Sequence, residues 1–195
     1  MKNIISTFTA IFIITALTAG CANQSNSNPS ETKVTAKSDS VTIQADSTQQ
    51  IENAKQWIVT TVENFFRDYD KNHGDFSGIC TKQYAEFKVD ATNVDLDLDA
   101  SLSLSEFKEK WGRRYSEYAG IGSGFIVGGN DFGVIKVPVC NFENKTEMGG
   151  LLFDTRVDDT TMNARYYRKI IVVPDGDSFL IDDVLEIKDE VMQQN

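Results

Sequence analysis

One His and three widely spaced Cys among 195 residues provide no dense ligand set at the spacing of a classical zinc site, which is therefore not expected. Basic residues are also in short supply, with 19 Lys and Arg against 29 Asp and Glu and a formal charge of −10. Nucleic-acid binding needs clustered Lys and Arg to neutralise phosphates, so this chain is not expected to bind nucleic acid. No Gly-x-Ser-x-Gly elbow occurs, and the sole His73 stands beside Gly74 at an expected helix end, which leaves nucleophilic serine catalysis without its parts. The run Gly120, Gly122, Gly124 lacks the Lys and the following helix of a phosphate loop and reads as a loop entering a strand. No hydrophobic run spans a bilayer comfortably as a helix, since the ~30 Å hydrocarbon core exceeds what the stretch from Ile4 to Leu17 covers. What is present is an ordinary globular composition, 41% hydrophobic and 10% aromatic, which suffices for one domain with a core.

That short apolar run follows Lys2 and ends in small residues, so residues 1–20 read as a signal peptide outside the fold. Its end, Leu17-Thr18-Ala19-Gly20-Cys21, resembles the bacterial lipobox, with Thr18 where Leu is commoner. This resemblance implies cleavage before Cys21 and lipidation of its thiol, and hence a membrane-anchored protein of the bacterial cell envelope facing the periplasm or the cell exterior. The 28 residues from 22 to 49 hold 16 Ser, Thr, Asn or Gln and no aromatic, too little apolar surface to build a core. Residues 21–49 are therefore expected to be the lipidated Cys and a flexible tether, whose root-mean-square reach is roughly 30 Å. Residues 50–195 form the domain.

Within it, Ile51, Ala54, Trp57, Ile58, Val62, Phe65, Phe66 and Tyr69 recur at helical spacing. Ser47 and Gln50 are spaced as a capping box before this helix, and Asn72-His73-Gly74 is its stop. A second helix fits 79–91, with Tyr84, Phe87 and Ala91 on one side. A third starts near Ser103 with the stripe Phe107, Trp111, Tyr115, Tyr118, a Ser103/Glu106 capping box and a Leu102/Phe107 staple. After Gly120 the apolar period switches to two, and strands are read at 124–128, 132–142, 150–158, 164–174 and 179–187, with Pro138 marking an edge or a bulge. Helices followed by hairpin-linked strands predict an α+β fold, about three helices packed on a curved, cone-like antiparallel sheet of four to five strands.

With Asp175-Gly176 as the last turn, Val172 faces Phe179, Ile170 faces Ile181 and Tyr166 faces Leu185. The same register pairs Lys169 with Asp182, Arg165 with Glu186 and Arg168 with Asp183, the last as an ion pair on the apolar face.

Three helices followed by a sheet ending in Phe179-Leu180-Ile181-Asp182-Asp183-Val184 resemble the nuclear-transport-factor-2-like (cystatin-like) superfamily over residues 50–190, and in particular its small Gram-negative lipoproteins. The resemblance implies a sheet curled around a cone whose mouth holds a ligand or, in isomerases and dehydratases, catalytic Asp, Tyr or His residues. It carries no catalytic motif onto this chain.

Trp57, Trp111, Tyr115, Tyr166, Arg168 and Asp183 are the residues expected at such a pocket, although stripes at helical spacing more often form core. Asp95, Asp97, Asp99 and Glu106 match positions 1, 3, 5 and 12 of a calcium loop, with Ala100 in place of the turn glycine. The same letters alternate as Val94, Leu96, Leu98, Ala100, Leu102, Leu104, which suits a solvated extended connection without cofactor. Cys80 and Cys140 are either a disulfide of an exported protein or two separate buried thiols. The expected function is a lipid-anchored, non-catalytic module that binds a small molecule or an envelope protein. The alternatives are an isomerase- or dehydratase-like enzyme with Asp183 as base, and a calcium-dependent binder.

Overall fold

A computed structural model describes residues 39–115, 120–129 and 131–191, with side chains from residue 47 onward. The signal peptide, Cys21, the first part of the tether and Tyr118 lie outside the described residues.

The first helix, α1, runs from Asp39 to Arg67. It begins well before Ile51, so residues 39–49 of the expected tether are helical, and Ser47 and Gln50 lie inside the helix and do not cap it. Its buried stripe is Ala54, Ile58, Val62, Phe65 and Phe66, the apolar period read from the sequence. Glu63 ties this helix to the sheet, accepting from Lys136 Nζ at 2.8 Å and from Val137 N at 3.1 Å. A single turn, α2 (Tyr69–Asn72), ends on His73 in the left-handed region, with φ 53°.

Helix α3 (Lys82–Asp95) starts where Thr81 accepts a hydrogen bond from Tyr84 N, and α4 (Leu104–Trp111) starts at a complete Ser103/Glu106 capping box. Four strands follow: β1 (Ile135–Lys145), β2 (Leu151–Asp159), β3 (Ala164–Asp175) and β4 (Ser178–Val191), antiparallel in the order β1-β2-β3-β4. The class is α+β, with helices packed against one antiparallel sheet. Pro138 lies on edge strand β1, inside a register irregularity between Lys136 and Val139.

Residues 124–128 form no strand. Val127 N–H donates to Phe125 O at 2.7 Å across Ile126, whose φ is +66°, which makes a three-residue turn in a conformation that L residues rarely take. The apolar letters there bury Ile126 and Val127 without strand geometry.

The last hairpin is displaced from its expected register. Asp175 pairs with Ser178, so the loop is Gly176-Asp177, with Gly176 at φ +59° as a two-residue loop requires. Val172 consequently pairs with Ile181. A bulge at Asp182 then sets Ile171 opposite Asp183, and a second one sets Tyr167 opposite Lys188. None of the three expected charge pairs forms. Lys169 pairs with Glu143, Arg165 lies opposite Glu190, and Arg168 binds Asp189.

Cys80 and Cys140 are both buried free thiols, and burial pushes the Cys140 thiol up to about 12. Cys80 bridges to Ile181 beside β4, whereas Cys140 is on β1 at the far side of the sheet. Three strand spacings of about 4.8 Å separate those strands, beyond the ~7 Å Cα limit of a disulfide.

Candidate functional site

The site is built on α3. Its inward positions are Tyr84, Phe87, Lys88 and Ala91, so one cation occupies a stripe otherwise made of rings and a methyl. Lys88 is only 4% exposed, and its Nζ donates to Ser123 O (3.1 Å), Ser123 Oγ (3.2 Å) and Gly124 O (3.1 Å). Three acceptors around three N–H groups suit the ammonium form. Burial draws its pKa down, while the field of Glu186 opposes that shift.

Lys88 thereby pins the glycine-rich segment 120–124 onto α3. That segment is a loop, as its composition suggests, and it is seated tightly. A Cβ on Gly124 would lie 2.1 Å from Val127 O, and one on Gly120 would lie 3.1 Å from the Phe87 ring. Between α3, this loop and β4 is a cavity of about 390 Å³, walled by Tyr84, Phe87, Lys88, the 120–124 loop, Val184, Leu185 and Glu186. Lys88 and Glu186 are not within ion-pair distance of each other among the described residues; the Lys88 donors are taken by Ser123 and Gly124, so it acts on the cavity through its charge, while the Glu186 carboxylate is free to accept.

None of the six residues expected at a pocket lines this cavity. Trp57 packs on Phe179 with ring centroids 6.1 Å apart. Trp111 and Tyr115 belong to a buried aromatic cluster with Phe87, Tyr115 lying 4.2 Å from the Phe87 ring. Their helical spacing thus marks core. Tyr166 is buried under the Arg168 guanidinium, 5.3 Å from the ring centroid.

Arg168 is fully buried and acts as a structural hub. Its Nε donates to Ile126 O at 2.7 Å, holding the turn at Ile126, and its Nη1 reaches Tyr167 O, Lys188 O and Asp189 Oδ1, the last at 2.5 Å. Asp183 is buried as well, 8% exposed, but it makes no ion pair among the described residues. Burial raises its pKa to about 6, against the lowering effects of the Val184 backbone N–H and the field of Arg114. Its bulge neighbour Asp182 carries the contacts instead, accepting from Thr81 Oγ1 at 2.9 Å and pairing with Arg114.

Asp95 ends α3, and Asp95, Asp97 and Asp99 are all exposed. Ala100 takes the left-handed φ of +64° that a turn glycine would adopt. Glu106 is committed elsewhere, its Oε2 accepting from Ser103 N (2.8 Å) and Ser103 Oγ (2.6 Å). Among the described residues no group of three or more His, Cys, Asp or Glu is arranged to hold a metal ion.

Two buried charges, only the first of them at the site, carry a visible sequence signal. Lys88 falls four residues after Tyr84 inside the stripe 84, 87, 91, where a charge must be inward. Asp159, a buried carboxylate outside the site, opens the turn Thr160-Thr161-Met162 as an Asx residue, accepting from Gly133 N, Thr161 N and Met162 N. Glu186 had no such signal, because its position at the cavity depends on the bulge at Asp182 in β4. Comparison with family models, with curated proteins and with solved structures finds no match to this chain.

Proposed function

We propose that this chain is a lipid-anchored protein of the bacterial cell envelope whose folded domain is a non-catalytic binding module of the cone-fold kind, taking a small ligand into the cavity between α3, the 120–124 loop and β4. The observation that carries the binding reading is the wall itself, with two aromatic rings, Tyr84 and Phe87, beside two charges, Lys88 and Glu186, that do not neutralise each other in contact. Apolar surface with a few placed polar groups is what holds and orients a small molecule. The anchor reading is supported by Ala19-Gly20-Cys21 after an apolar run.

One observation favours the enzyme alternative, the pKa of about 6 at Asp183, which suits a general base. The carboxyl is not part of the cavity wall, however, although its neighbour Val184 is.

Two measurements test this function. Cys21→Ala should move the protein from the membrane to the soluble fraction, and unchanged membrane retention rejects the anchor. Titration of the full-length chain with 1-anilinonaphthalene-8-sulfonate should show saturable fluorescence enhancement that Leu185→Trp, which fills the cavity, removes. Enhancement that is absent, or equal in the variant, rejects the cavity as a binding site.

A further inference from the structure

A second cavity, of about 360 Å³, shares Lys88 and the glycine loop with the first but opens toward α1 and α2. Its wall is aromatic. Phe65 and Phe66 are buried at its base, while Tyr69, Phe76, Phe125 and Phe132 are only half-buried and keep free ring surface. These four rings are set in two pairs: Phe76 stacks on Phe125 at 4.8 Å and 20°, and Tyr69 meets Phe132 edge-on at 4.8 Å and 80°.

One carboxylate joins this wall. Asp95 Oδ1 would lie 3.3 Å from a Cβ on Gly122, so the missing side chain of that glycine gives the carboxylate its place at the cavity. The Asp95 side chain makes no hydrogen bond or ion pair among the described residues, and the exposed Asp97 and Asp99 follow it in the chain. The cation in the wall, Lys88, has its three donors committed to Ser123 and Gly124, and its charge is opposed by the fields of Glu186 and Asp183.

Aromatic faces carry negative potential and attract cations, most effectively those that give up little hydration, such as methylated ammonium groups. An anion would meet Asp95, whereas a cation gains the field of that exposed carboxylate in addition to the ring faces, which a neutral ring does not. We propose that this cleft binds an alkylated ammonium group of the choline type between Tyr69, Phe76, Phe125 and Phe132, with Asp95 as counter-ion. The proposal does not rest on the cavity at β4, and each can fail alone.

The test is calorimetric titration of the full-length chain, in a maltoside detergent at low salt, with choline and with its neutral isostere 3,3-dimethylbutan-1-ol. Choline is expected to bind saturably and at least about tenfold more tightly than the alcohol. Asp95→Asn should weaken choline binding about threefold or more, with the difference shrinking in high salt. Phe76→Leu, which keeps apolar volume but removes a ring face, should weaken it to a similar extent. Leu185→Trp, at the other cavity, should leave it unchanged. Glycerophosphocholine binding more tightly than choline assigns the group to a lipid headgroup, and failure to compete assigns it to a free organic cation; either outcome upholds the cleft. Absence of choline binding, equal affinity for the neutral alcohol, wild-type affinity in both Asp95→Asn and Phe76→Leu, or loss of binding in Leu185→Trp overturns it.

Discussion

Asp183 is a carboxyl that the fold would hold more easily uncharged, and its removal has a sign that can be worked out. Its pKa rises from 3.8 to about 6, chiefly because burial strips water from the carboxylate. Between those two values the folded state holds the proton while the unfolded chain releases it, so stability falls as pH rises through that window. The penalty is absent below about pH 4 and fully present above about pH 6. Roughly two pH units at about 1.4 kcal/mol each give a penalty of about 3 kcal/mol at neutral pH. Asp183→Asn keeps an oxygen for the Val184 N–H but cannot ionise. Urea unfolding of the wild type and this variant from pH 4 to pH 8 should therefore show their stability difference moving in the variant's favour by about 3 kcal/mol across that range. Carboxylates held low by partners, such as Asp68 by Lys71 and Arg67 and Glu106 by Ser103, titrate alike in both proteins and cancel in the difference. A stability difference independent of pH would refute the argument, because it would mean that Asp183 ionises as easily in the fold as in water.

Two further changes probe how the sheet and helices are held. Arg168→Met removes the donors to Ile126 O, Tyr167 O and Lys188 O inside the core and should destabilise by about 3 kcal/mol or more. Asp189→Asn changes a half-exposed group and leaves an acceptor in place, so about 1 kcal/mol is expected; equal losses in denaturant unfolding would show that the ion pair, not the carbonyl contacts, is what Arg168 supplies. Ser103→Ala removes the hydroxyl that accepts from Glu106 N and donates to Glu106, while the backbone N–H at position 103 keeps its bond to the Glu106 carboxylate; it should lower stability by about 1 kcal/mol in the same assay, and a change near zero would mean that this remaining bond and Phe107 and Trp111 packing set that helix start.

The parts of the fold legible from sequence are those set by local rules. The apolar stripe of α1, the capping box at Ser103 and the alternation of β2 and β3 each follow from period or short-range hydrogen bonding, and each is present. The start of α1 was not legible because polar residues 39–49 carry no stripe, although nothing in them forbids helix. The 124–128 segment failed for the opposite reason. Its apolar letters fit a strand, but the Arg168 bond to Ile126 O and the turn at Ile126 fix a different backbone that buries the same residues.

The last hairpin separates what alternation can determine from what it cannot. Moving the turn from Asp175-Gly176 to Gly176-Asp177 shifts the pairing by two residues, which preserves parity. Tyr166, Arg168, Ile170, Val172, Phe179 and Ile181 therefore stay buried as expected while every partner changes. A burial pattern is blind to such a shift, and three opposite-charge pairs fit the first register because Lys, Arg, Asp and Glu recur on both strands. The bulge at Asp182 then breaks parity itself. It leaves both Asp183 and Val184 buried, turns Leu185 and Glu186 toward the cavity and carries Arg168 past Asp183 to Asp189. The candidate site on β4 thus exists because of one inserted residue, and a period-two reading of the strand has no means of placing it.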